Sequence, residues 1–169
     1  MKIIEGMKEI KRLEEKSEDL KTKVGTYCAH MNIETPTYPD QGGQIKEWLQ
    51  SVHDSLKEAE RLRLAIQKTN LQTKVTIEIG GTKIDKSIAA WIIRRRLYAQ
   101  KEQALWASLG DRNLREGIMK NSAGENVEVK IQRYYDPKMR DQKVAEYRDE
   151  PNLIDRTLEV VNAVTDIIE

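Results

Sequence analysis

Apolar residues recur every seven positions through residues 2–31. Ile3, Ile10, Ser17, Val24 and Met31 form one line, and Gly6, Leu13, Leu20 and Tyr27 form a second, three residues further on. Lys and Glu fill most of the positions between. Two such lines lie side by side on a helix, whereas a strand would scatter them over both faces. The spacing therefore predicts a long amphipathic helix with a narrow apolar stripe, suited to packing on another long helix. Ser17 and Gly6 weaken the seam, so the stripe needs a partner in the fold or in another copy and does not suit a free-standing coiled coil.

The partner follows directly. IETPTYPDQGG carries two prolines and two glycines and reads as a loop. A second helix is expected from about Gln44 to Asn70, with Ile45, Trp48, Leu49, Val52, Leu56, Ala59, Leu62 and Ile66 at threes and fours. The period then changes to two. Val75, Ile77 and Ile79 alternate with Thr76 and Glu78, and Gly80-Gly81 supplies the positive φ of a tight hairpin turn. Asp85 is the expected N-cap of a third helix over residues 86–109, and Gly110 its C-cap. Residues 110–126 read as mostly loop. Val127, Val129 and Ile131 mark a strand that suits a third place beside the first hairpin. Asp136-Pro137 opens a short helical segment. Asp149-Glu150-Pro151 is expected to interrupt it, with a last helix over residues 151–168. The fold class is thus mainly α (α+β): a long helical hairpin, two further helices and a small antiparallel β-sheet. At 169 residues the chain suits a single helical domain, with a hairpin insertion near 74–84 and a third strand near 127–133.

Composition excludes several functions. Lys plus Arg (29) nearly cancels Asp plus Glu (28), so there is no global positive field and no strong nucleic-acid signal. One cysteine, Cys28, excludes an internal disulfide and suits a reducing compartment. The opening residues have no apolar run of signal-peptide type, and no segment is apolar for long enough to span a membrane. The expected location is cytoplasmic, in a bacterial host or a virion, with no membrane partner.

The order of parts carries a resemblance. The junction reads Ile66-Gln67-Lys68-Thr69-Asn70-Leu71-Gln72-Thr73, the third helix opens Ile84-Asp85-Lys86-Ser87-Ile88-Ala89, and the end reads Asn162-Ala163-Val164-Thr165-Asp166-Ile167. Over roughly residues 40–169 this resembles the small bacterial and phage proteins of the septicolysin family. The resemblance implies a helical, oligomeric fold without an obvious active site. The Gly-containing stretch at 110–126, the Asp-Glu-Pro-Asn insertion at 149–152 and Ala163 depart from the family pattern.

No catalytic constellation is legible. His30 and His53 stand alone, and there is no HExxH, CxxC, Walker loop or GxGxxG. Neither a catalytic residue nor a metal ligand nor a cofactor is expected, and the chain reads as no enzyme. What stands out is arginine beside tyrosine. Arg94, Arg95 and Arg96 lie between Trp91 and Tyr98 in the third helix. Helical phase puts Arg95 beside the aromatic stripe and Arg94 in solvent. Arg133, Tyr134, Tyr135 and Arg140 surround the start of a helix. Guanidinium forks and phenol rings suit a small anionic, nucleotide-like ligand, or equally the carboxylates of a neighbouring helix or subunit. Asn70 and Thr73 suit either a helix cap or the same ligand. The candidate ligand residues are therefore Arg95, Arg96, Tyr98, Arg133, Tyr134, Tyr135, Arg140, Asn70 and Thr73. The expected function is a non-catalytic homo-oligomer that holds or sequesters a small anionic ligand. The alternative is a phage virion or assembly protein whose arginines and tyrosines form subunit contacts.

Overall fold

The computed structural model describes residues Met1–Ile168. The chain is mainly α with a little β, as the periodicities predict. Helix α1 spans Ile3–Tyr27 and α2 spans Gln41–Gln72, forming the long hairpin. Strands β1 (Lys74–Ile79) and β2 (Thr82–Ser87) follow, then α3 (Ile88–Ile93), a π-helical segment (Arg94–Tyr98) and α4 (Ala99–Ala107). Strands β3 (Gly117–Lys120) and β4 (Asn126–Val129) precede α5 (Pro137–Val164). Among the described residues no helix is long and apolar enough to cross a membrane.

The chain divides into two compact units. The first comprises Met1–Val75, Ser87–Ala89 and the chain from Leu158 onward, and the second comprises Thr76–Lys86 and Ala90–Thr157. In the first unit Ile10 and Leu13 of α1 bury against Ala59 and Leu62 of α2, with Ile66 packed alongside. Both weak points of the α1 seam are explained here. The Ser17 hydroxyl donates to the Leu13 carbonyl at 2.8 Å, so its burial leaves no unmet group. A Cβ on Gly6 would lie 2.5 Å from Ile167 Cδ1, so any larger residue there would have to displace the Ile167 side chain. That segment is tied down by Ile3 N–H to the Thr165 carbonyl and by Ile167 N–H to the Met1 carbonyl, at 3.0 and 2.9 Å. The far end of the hairpin is closed by the rings of Tyr27, Tyr38 and Trp48, whose centroids lie 5.4–6.0 Å apart.

Several boundaries differ from expectation. Helix α2 begins earlier because Asp40 caps it, its carboxylate accepting from Gly43 N–H at 2.9 Å, so Gly42 and Gly43 sit in the first turn and not in the loop. Gly80 and Gly81 have φ of +56° and +78°, the two left-handed positions that a two-residue hairpin turn needs. Asp85 is not an N-cap: it lies within β2, which runs on to Ser87, and its carboxylate accepts from the Thr76 hydroxyl at 3.3 Å. The third helix ends at Ala107, capped by Ser108 and not by Gly110.

The 110–126 stretch is more than loop. It holds β3, which pairs antiparallel with β4, Gly117 opposite Val129 and Met119 opposite Val127. The strand near 127–133 therefore has its own hairpin partner and does not join β1 and β2. Asn121 shapes the turn by accepting from the N–H groups of Ala123 and Glu125. Nor does Pro151 break the last helix, because α5 is continuous through it for 28 residues. Proline removes one N–H and one helical bond, at about 3 kcal/mol. Ile154 is fully buried one turn further on, and Glu150 just before the proline is paired with Arg94.

Candidate functional site

The arginine run straddles a change of helical type. A π turn accommodates one extra residue and rotates everything beyond it relative to a regular helix. Arg94 opens that turn three residues after Trp91, so its own phase is set by α3, and the ranking of the arginines is the reverse of the one expected. Arg94, expected in solvent, is the one that is held. Its Nε and Nη2 donate to the two carboxylate oxygens of Glu150 at 2.6 and 3.0 Å, a two-pronged pair. Its Nη1 donates to Glu102 at 3.3 Å. Glu150 is only 2 % exposed. Hydrogen bonding to Glu150 raises the Arg94 pKa well above its ordinary range, against the opposing effect of burial. Arg95 instead pairs with Asp155, whose side chain is largely exposed.

Around Arg94 the second unit opens a cleft of about 370 Å³. The β1–β2 hairpin contributes Ile79, Gly80, Thr82, Ile84 and Lys86, α3 contributes Trp91, and α5 contributes Lys143, Glu146, Tyr147 and Glu150. Lys143, Tyr147 and Glu150 fall at i, i+4 and i+7, one face of α5. The turn glycine is part of the construction: a Cβ on Gly80 would meet Glu146 Oε1 at 2.5 Å. Lys143 donates to Glu146 at 2.9 Å, which raises the lysine pKa. Burial and the nearby Glu102 push the Tyr147 hydroxyl upward, so it stays protonated and able to donate. Arg94 and Lys143 lie 5.5 and 5.9 Å from the Tyr147 ring centroid. Trp91 is wholly buried, and Lys86 Nζ sits 5.2 Å from its ring. Lys86 is half-buried and forms no ion pair among the described residues. Its ammonium is thus held beside the indole ring without a carboxylate partner among the described residues.

The residues expected to bind ligand do not gather in one place. Arg96 is exposed, and Tyr98 is about half exposed, with Lys101 Nζ 5.8 Å from its ring centroid. Arg133, Tyr135 and Arg140 do come together, but around protein groups. Arg133 forks onto Asp111 at 2.7 and 2.5 Å, and the Tyr135 hydroxyl donates to the same carboxylate at 3.0 Å. These donors hold the Asp111 carboxyl below the usual carboxylate range. Arg140 donates to the Leu109 carbonyl at 3.1 Å and pairs with Asp141. This cluster joins the loop after α4 to the loop before α5. Tyr134 points away, 91 % exposed.

Asn70 and Thr73 lie in the first unit. Thr73 serves as the α2 C-cap through its backbone, its N–H donating to the Thr69 carbonyl and its own carbonyl accepting from Ile88 N–H. The side-chain tie expected of this pair belongs to Thr69, which is fully buried. Its hydroxyl donates to the Ala65 carbonyl and accepts from Ile168 N–H, both at 2.8 Å. Asn70 Oδ1 is buried without a partner among the described residues.

Sequence reasoning missed Lys86, Trp91, Arg94, Lys143, Tyr147 and Glu150 as a group. One signal was present, the i, i+4, i+7 spacing of the α5 residues, but the expected interruption at Asp149-Glu150-Pro151 put Glu150 outside the helix. No family model, curated protein or solved structure matches the chain.

Proposed function

We propose that this protein is a non-catalytic, homo-oligomeric binding protein that holds or sequesters a small anion in the cleft at Lys86. A single observation carries the reading. Arg94 and Lys143 each have a carboxylate partner in the cleft, whereas Lys86 is half-buried there without one. An anion would supply the missing counter-charge, and Tyr147 and Thr82 line the same cleft with hydroxyls. Arg95, Arg133 and Arg140 take no part, because carboxylates and a carbonyl of the chain already occupy them.

The second reading, a phage virion or assembly component, is favoured by a different observation. Leu49, Leu56, Leu64 and Leu71 of α2 are 50–68 % exposed. Exposed leucines in a row are the material of subunit contacts. A thermal-shift series with inorganic phosphate separates the two readings. The binding protein is stabilised by about 2.7 kcal/mol at a hundredfold excess over Kd. A purely structural protein melts at the same temperature throughout.

A further inference from the structure

We infer that the cleft recognises only the oxyanion headgroup of its ligand, a phosphate or phosphate monoester, and does not stack a nucleobase. The inference rests on the anion-binding reading above and narrows its ligand class.

Three donors in the cleft are unspent. Lys86, Tyr147 and the exposed Thr82 are among the residues that line it, and none makes a side-chain hydrogen bond among the described residues. The carboxylates are spent, Glu150 on Arg94 and Glu146 on Lys143. Donors without matching acceptors select an acceptor-rich group, and a phosphate offers oxygens in several directions. Lys86, Arg94 and Lys143 face Glu150, Glu146 and Glu102, so the site has no spare positive charge for a polyphosphate chain, and Lys86 is the cation of the three without a carboxylate partner among the described residues. A single headgroup suits that better than a polyphosphate chain.

Base stacking needs an open aromatic face, and the cleft has none to give. Trp91 is 0 % exposed with Lys86 over its ring. The Tyr147 ring is already approached by two cations, Arg94 and Lys143. The aromatic side chains that do stand open, Tyr98 and Tyr134, are not among the cleft's lining. Whatever an ester carries beyond its phosphate therefore finds no ring to lie on.

The test is isothermal titration of the full chain with inorganic phosphate, glycerol phosphate, adenosine monophosphate and adenosine. The three phosphates are expected to bind with Kd values within about threefold of each other, and adenosine to give no binding heat. Tyr147→Phe, which keeps the ring and removes one donor, is expected to weaken all three equally, by roughly three- to tenfold, the effect of one neutral hydrogen bond. Binding of adenosine alone overturns the inference, as does a more than tenfold preference for adenosine monophosphate over phosphate. Silence from all three phosphates overturns the anion-binding reading itself, and the inference with it.

Discussion

Arg94 and Arg95 are neighbours in sequence with opposite fates, and the difference is one of burial. The Arg94 side chain is 19 % exposed and its partner Glu150 1 %, whereas Asp155, the partner of Arg95, is 53 % exposed. Removing one member of a buried pair strands the other, while an exposed pair is worth little. Glu150→Gln is therefore expected to lower unfolding stability by about 3 kcal/mol, and Arg95→Ala by under about 1 kcal/mol. Urea denaturation of the two variants checks the order, and a larger loss at Arg95 would contradict it. Thr69→Val is a second case. It keeps the shape, but leaves Ile168 N–H without its acceptor at a cost of about 1–3 kcal/mol. Neither pair could be seen from sequence alone. That an arginine here needs a carboxylate was legible, but which of three arginines and which carboxylate depended on a phase the sequence did not reveal.

At the scale of the element, the third helix is not regular throughout. A regular wheel through residues 86–109 assumes one rotation per residue throughout, and the π turn at Arg94–Tyr98 adds an extra step. Residues before it, Trp91 among them, sit where the apolar period puts them. Those after it are displaced. Periodicity located the helices and the first hairpin well, because long repeats average over local exceptions. It failed at β3, four residues long and exposed throughout, because a strand that buries nothing has no alternation to display. That same exposure sets an expectation. A two-stranded hairpin with little to cover it is marginal in water. Backbone amides of residues 117–129 are thus expected to exchange with solvent far faster than those of the buried α2 face around Ala59 and Leu62. Protection of both segments to the same degree, read by hydrogen-exchange mass spectrometry, would contradict this.

For the whole molecule, the mainly α architecture was legible from two changes of period. The cleft was not legible, since its walls come from residues 79–94 and 143–150, which only the fold brings together. Exposed leucines along α2 make self-association the expected state. Light scattering at micromolar concentration should give a mass of at least twice the 19.6 kDa chain, and a monomer mass would contradict it. The account turns most heavily on Lys86. The most direct measurement is calorimetric titration of inorganic phosphate into the wild-type chain and into Lys86→Met, which keeps an unbranched side chain beside Trp91 and removes the charge. A charge-assisted bond contributes about 1.5–3 kcal/mol, so the variant is expected to bind at least tenfold more weakly while melting within a few degrees of the wild type. Equal affinity in the two proteins would contradict the account.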